Sequence, residues 1–206
     1  MTAQSSLAPR QVLERQTRLL LGDALVGKTS LIVCFTTGSF PQESMPTVWD
    51  TYRARLCVGG RTVSLSVRDT AAQEEHLLAA RQFYYPQVDI LILCFSVCDP
   101  VSFRGVWQNW YPEMLRHCPH LPVLLVGTQI DLRQDSATLL QLLRQETMPI
   151  TTEQGIALAR SIHADTYLEC SARHRLGVEM VFEEAARIVL RRWAGHDRGR
   201  GSCVLT

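Results

Sequence analysis

Apolar and polar positions along the chain switch repeatedly between the period of a strand and that of a helix. Thr17–Leu21 reads as a short apolar strand running into a glycine-rich turn, with a helix from about Lys28 to Thr36 behind it. Tyr52–Val58 and Thr62–Val67 alternate apolar and polar residues on either side of Gly59-Gly60, the pattern of an antiparallel hairpin. Asp89–Ser96 and Pro122–Gly127 are nearly continuous apolar runs, so they predict central strands covered on both faces. Asp99-Pro100 supplies a cap and a first-turn proline to a helix reaching about Cys118. Ser136–Gln145 is a short leucine-bearing helical insertion. Thr151-Thr152-Glu153-Gln154 has capping-box spacing before a helix ending near Ile162, and Thr166–Glu169 is a last strand. Val178, Val181, Phe182, Ala185, Ile188 and Val189 form a helical stripe that packs a core. Strands and helices alternate throughout, without internal repeat or interior linker, which predicts one α/β domain with a mostly parallel sheet.

Composition narrows the class. The chain has 206 residues, a length that suits a single core, and 46% of them are apolar, which excludes a disordered or collagen-like chain. Its longest apolar run, Ile90–Phe95, is far below the roughly 18 residues that cross a bilayer. A net charge of +1 argues against a general nucleic-acid binder. The opening MTAQSSLAPRQVLERQ has no apolar core of a signal peptide, and its second residue is Thr, so neither secretion nor myristoylation is expected. Seven scattered cysteines without a CxxC pair read as reduced, mostly buried thiols of a cytosolic protein rather than a disulfide framework or zinc site. Of the 21 cations only Lys28 is a lysine. Where a compact charge must reach between phosphates, arginine does not replace it.

Lys28 stands in Gly22-Asp23-Ala24-Leu25-Val26-Gly27-Lys28-Thr29, followed by Ser30, a G-x4-G-K-[ST] pattern between predicted strand and predicted helix. Such a loop folds backbone N–H groups into a nest for phosphate oxygens, and the helix dipole adds to it. Lys28 would reach the β and γ phosphates, and the Thr29 hydroxyl would serve Mg²⁺. Asp69, at the end of the second hairpin strand, could hold the magnesium shell through water, though a strand-end Asp is by itself commonly a turn former. Thr128-Gln129-Ile130-Asp131 follows another strand, and a carboxylate at Asp131 can accept two hydrogens from the N1 and N2 edge of guanine. Glu169-Cys170-Ser171-Ala172 follows the last strand, where a backbone N–H could meet the guanine oxygen. All four loops gather at the carboxyl edge of the sheet, where such folds bind ligands. A P-loop kinase or ATPase would lack the Asp131-type reader.

With these four loops in order the chain resembles the Ras superfamily and, within it, the Rho family, closest to the Rac/RhoG group, over about residues 16–206. Thr36–Pro41 and Met45–Asp50 are similar to a Rho switch I. Tyr84–Gln87, Leu93–Val97, His117–Pro119, Leu125–Arg133 and Tyr167–Ala172 are similar to Rac and RhoG. The resemblance implies a P-loop small GTPase fold, a mostly parallel six-stranded sheet flanked by helices, with a Rho-type insert helix at about 135–146. It implies a flexible extension over 1–15, a GTPase domain over 16–194 and a flexible tail over 195–206. It also implies a monomeric GTP/GDP switch that uses Mg²⁺, hydrolyses GTP, and signals through Rho-type effectors, exchange factors and activating proteins to the actin cytoskeleton.

Carried over by position, the resemblance makes Thr47 the threonine that completes magnesium and senses the γ-phosphate. Phe40 would lie against the guanine, and Gln73 would orient the attacking water. Ser44, Met45, Pro46, Thr47, Val48, Trp49, Asp50, Thr51 and Tyr52 would form the effector loop. Cys203-Val204-Leu205-Thr206 fits C-a-a-X with Arg191, Arg192, Arg198 and Arg200 upstream, implying a prenylated Cys203 and a place on the cytoplasmic face of the plasma membrane or endomembranes, with a cytosolic pool.

The chain departs from the family pattern at Ala24 and Ala72, where Rho proteins carry glycines, so slowed hydrolysis is expected; the alternative is a GTP-loaded scaffold that hardly turns over. Arg68 replaces an aromatic residue that helps choose exchange factors, Ser44 replaces a switch I tyrosine, and Glu74–Gln82 diverges with one extra residue.

Overall fold

The computed structural model describes residues 14–42, 49–70 and 85–200. In chain order these form β1 (Glu14–Leu21), α1 (Lys28–Thr37), β2 (Trp49–Val58), β3 (Arg61–Thr70), a 3-10 turn (Tyr85–Gln87) and β4 (Ile90–Ser96). α2 (Pro100–Gly105), a π-helical turn (Val106–Trp110) and α3 (Tyr111–His117) follow without a break. Then come β5 (Val123–Thr128), a 3-10 turn (Ile130–Gln134), α4 (Ser136–Arg144), α5 (Thr152–Ser161), β6 (Thr166–Glu169) and α6 (Val178–Arg200).

The six strands lie in the order β2-β3-β1-β4-β5-β6, all parallel except β2, which runs antiparallel to β3. This is the mostly parallel α/β sheet that the alternation of periods predicts. The hairpin turns through Gly59 (φ 56°) and Gly60 (φ 75°), and two successive left-handed residues match the right-handed strand twist. Its strands are longer than their apolar pattern. β2 begins at Trp49, so Trp49, Asp50, Thr51 and Tyr52 of the expected effector loop are strand residues, paired with Thr70, Asp69, Arg68 and Val67. Backbone pairing continues where the side chains turn polar.

Asp99 caps α2 by accepting from Val101 N at 2.9 Å, with Pro100 at the first position. At α5 the capping box is complete: Thr151 Oγ1 accepts from Gln154 N (3.2 Å), and Gln154 Oε1 accepts from Thr151 N (2.8 Å). Asp135 caps the insert helix α4 through Thr138 N at 2.8 Å. α6 continues to Arg200, past the expected domain end at 194, and β1 starts at Glu14, two residues before the expected domain start at 16.

Each face of the sheet carries one core. Leu31 and Ile32 of α1 and Val181, Phe182 and Ala185 of α6 pack on one face, where Phe35 stacks on Phe182 with centroids 4.0 Å apart. Val106, Trp110 and Met114 pack on the other with Leu158 and Ile162. Cys34, Cys94, Cys118 and Cys170 are free and buried; burial pushes the Cys94 and Cys118 thiols up to about 12, so they act as small hydrophobes.

One buried position contradicts the apolar reading of Thr17–Leu21. Arg18 is fully buried between Val67 and Ile90, and Gln16 beside it is also buried. Its Nη2 donates to Gln16 Oε1 at 2.8 Å, while Nε and Nη1 meet no acceptor among the described residues. Burial lowers the guanidinium to about 9, partly opposed by Asp89. A buried ion with so little compensation is a net cost to folding. The double substitution Gln16→Leu/Arg18→Met is therefore expected to stabilise the domain by about 1–4 kcal/mol, read as a higher midpoint in chemical unfolding at pH 7. An unchanged or lower midpoint would show that a buried partner compensates the charge.

Candidate functional site

β1 and β4 are adjacent, and the chain leaves them towards opposite sides of the sheet, which opens a crevice at their carboxyl ends. The loop 22–27 fills it. Gly22 has φ 136°, and a Cβ there would lie 2.1 Å from the Cys94 carbonyl oxygen, so only glycine lets the loop pass. Leu25 is left-handed (φ 61°) and 87% exposed, a strained conformation for a branched side chain. Gly27 (φ 87°) enters α1, whose first turn has neither a side-chain cap nor an acidic residue. An anion at this helix start would face the N–H groups of its first turn and the positive end of the helix dipole.

Lys28 is 6% exposed. Its ammonium donates to the carbonyls of Gly22 (2.9 Å) and Asp23 (2.7 Å), so the loop's own backbone aims it across the nest. The Thr29 hydroxyl donates to Asp69 Oδ2 at 2.5 Å, although the two are 40 residues apart, and Asp69 is fully buried at the end of β3. A hydroxyl and a carboxylate brought together are hard oxygen donors of the kind Mg²⁺ takes. Thr29 would hold the ion directly and Asp69 through water; bound Mg²⁺ supplies charge neutralisation at the β and γ phosphates.

The third and fourth loops meet beside this nest. The Thr128 hydroxyl faces the carbonyls of Val26 (2.5 Å) and Phe95 (2.8 Å), and Gln129 Nε2 donates to Leu25 O at 3.0 Å. The contacts to Val26 and Leu25 tie the third loop to the first. The Ser171 hydroxyl donates to Asp131 Oδ1 at 2.6 Å and accepts from His174 N at 3.0 Å, which orients the carboxylate. An open pocket bounded by Gly27, Ser30, Phe40, Asp131 and Ala172 lies between them, with the Phe40 ring 43% exposed at its rim. The chain matches the Ras family over residues 18–191.

The chain belongs to the Ras family. It is therefore a small GTPase, a protein that alternates between GTP-bound and GDP-bound states. The structure brings Gly22 to Ser30, Phe40, Asp69, Thr128, Gln129, Asp131, Ser171 and Ala172 to one edge of the sheet in this Ras-family chain. Ser44, Met45, Pro46, Thr47, Val48, Ala72, Gln73 and Cys203 lie outside the described residues.

Sequence reasoning missed the supports of this site. Arg133 grips Glu169 with both ends of its guanidinium (2.5 and 2.6 Å) and also donates to Ile150 O at 2.8 Å. This pair locks the third loop to the fourth behind Asp131. Burial works against the Glu169 charge, but the hydrogen bonds from Arg133 and Tyr167 outweigh it and hold the carboxyl below its usual range. The Tyr167 hydroxyl donates to Glu169 Oε1 at 2.8 Å, and a Cβ at Gly127 would lie 2.4 Å from that hydroxyl and one at Gly155 2.2 Å from the ring. Tyr167 and Glu169 share one strand face, but no local spacing relates either to Arg133, 36 residues from Glu169.

Proposed function

We propose that this small GTPase is a Rho-type switch of the Rac/RhoG group, acting at membranes on the actin cytoskeleton, with slowed GTP hydrolysis. The observation that carries the nucleotide reading is the placement of one buried ammonium, the Thr29–Asp69 oxygen pair and the braced Asp131 carboxylate around a single crevice. The insert supports the Rho reading, since Ser136–Arg144 is a capped helix between β5 and α5. In this reading Lys28 and the α1 N-terminus bind the phosphates, Asp131 and Ala172 select guanine, and Phe40 covers the base. Thr47 completes the magnesium shell, and Gln73 holds the water in line with the γ-phosphate.

Partners follow from the same reading: Rho-type effectors on residues 44–52, exchange factors, and activating proteins. Arg68, whose Nη2 donates to Gln87 Oε1 at 2.9 Å, presents a cation where an exchange factor of the Rac type expects an aromatic ring. Cys203 would carry a prenyl chain. Of the arginines upstream, Arg191 bonds Glu184 and Arg192 lies against Asp165, so the basic patch that would assist the lipid is thinned.

Bound-nucleotide analysis of the purified protein, with competition of labelled GTP by ATP, tests the reading. Guanine nucleotide is expected at about one per chain, and ATP in large excess should leave it in place. Displacement by ATP would turn the assignment towards an ATPase. A pool that is almost all GTP and does not decay would favour a scaffold over a cycling switch.

A further inference from the structure

The π-helical turn Val106–Trp110 lies between α2 and α3 and packs in the core on the face of the sheet opposite α1. Such turns are rare and cluster at functional sites. It ends at Trp110, 5% exposed, whose indole Nε1 donates to Asp23 Oδ1 at 2.7 Å across 87 residues of chain. It begins just after Gly105, which has ordinary helical torsions (φ −56°, ψ −31°) and so needs no glycine for its backbone. Its need is space. A Cβ at Gly105 would lie 2.7 Å from Asp23 Oδ2. The Asp23 carboxylate is thus held by a hydrogen bond on one oxygen and admitted by a missing side chain at the other. Asp23 is the second residue of the phosphate loop, and its own carbonyl accepts from Lys28 Nζ at 2.7 Å.

We infer that Trp110 and Gly105 are positioning residues for the phosphate loop, acting through Asp23 on the peptide that aims Lys28. A free loop of six residues would sample many peptide orientations. Anchoring one side chain to a rigid helix restricts that sampling before nucleotide arrives, which lowers the ordering cost of binding. The inference rests on the guanine-nucleotide reading above.

The test is the release rate of a fluorescent N-methylanthraniloyl-GDP from the full chain, alongside the thermal midpoint. Trp110→Phe keeps a ring and removes the donor. It is expected to speed release about tenfold, the loss of one hydrogen bond to a charged acceptor. Asp23→Ala should do the same, and the double variant should release no faster than Asp23→Ala alone, because both remove one contact. Gly105→Ala separates positioning from packing: alanine's helix preference offsets the displaced carboxylate contact, so the midpoint should change little, while release still quickens as the carboxylate is pushed aside. Multiplying effects, about a hundredfold in the double variant, would overturn the inference. So would a Gly105→Ala protein with unchanged release. A wild-type chain that takes up no labelled GDP would overturn the nucleotide reading, and this inference with it.

Discussion

Restoring glycine at positions 24 and 72 together is expected to raise activator-stimulated GTP hydrolysis by about 10³–10⁵, while GDP affinity changes little. The loop accepts alanine at position 24 without strain, since Ala24 is not among the positive-φ residues and is half-buried, and an alanine keeps its backbone N–H. Binding should therefore survive in the natural chain. In the proposed reading the change lies in space above the γ-phosphate, where a methyl group would compete with the side chain that orients water and with an arginine from an activating protein. That arginine alone supplies most of the stimulated rate in GTPases of this kind. Position 72 lies outside the described residues; in the proposed reading glycine there would let the peptide turn towards the γ-phosphate, because glycine alone reaches φ > 0 at no cost. Single-turnover hydrolysis of GTP, with and without a Rho-type activating protein, reads the effect. Equal stimulated rates in the natural chain and the Ala24→Gly/Ala72→Gly variant would sink the steric argument.

Asp131→Ala should weaken GTP binding by about 10²–10⁴, since two hydrogen bonds to a charged acceptor are worth roughly 1.5–3 kcal/mol each. The guanine N1–H and N2–H donors would then enter the pocket without an acceptor. Adenine has no such donor pair, so the same variant should leave the weak binding of ATP nearly unchanged, and the preference between the two collapses. Ser171→Ala removes only the hydroxyl that orients the carboxylate at 2.6 Å, so its effect should be about tenfold. Titration calorimetry with GTP and ATP measures all three. An Asp131→Ala protein that still prefers GTP would place base selection elsewhere.

The elements were readable because each is written in neighbouring residues. The capping box at Thr151, the proline start at Pro100 and the double-glycine hairpin are contacts within three or four residues, and all of them form. The phosphate loop is equally local, since Gly22, Gly27 and Lys28 act through one short stretch of backbone. Strand limits were less readable. β2 and β3 extend through Asp50, Thr51, Arg68 and Asp69 because ladder hydrogen bonds are made by backbone atoms and are indifferent to side-chain polarity. Arg18 escaped for the opposite reason: one charged residue in an apolar run signals a solvent-facing position, and nothing nearby indicates that its strand is covered on both faces.

By itself, then, the amino-acid order specified the alternation of strands and helices, the nest around Lys28, and the four loops destined for one edge of the sheet. Those properties arise from hydrophobic period, glycine torsions and caps, all of short range. Only tertiary packing decided which distant groups meet: Thr29 with Asp69, Ser171 with Asp131, Arg133 with Glu169, and Trp110 with Asp23. Each pair joins segments brought together by strand order, and no spacing along the chain encodes the hydrogen bond that results.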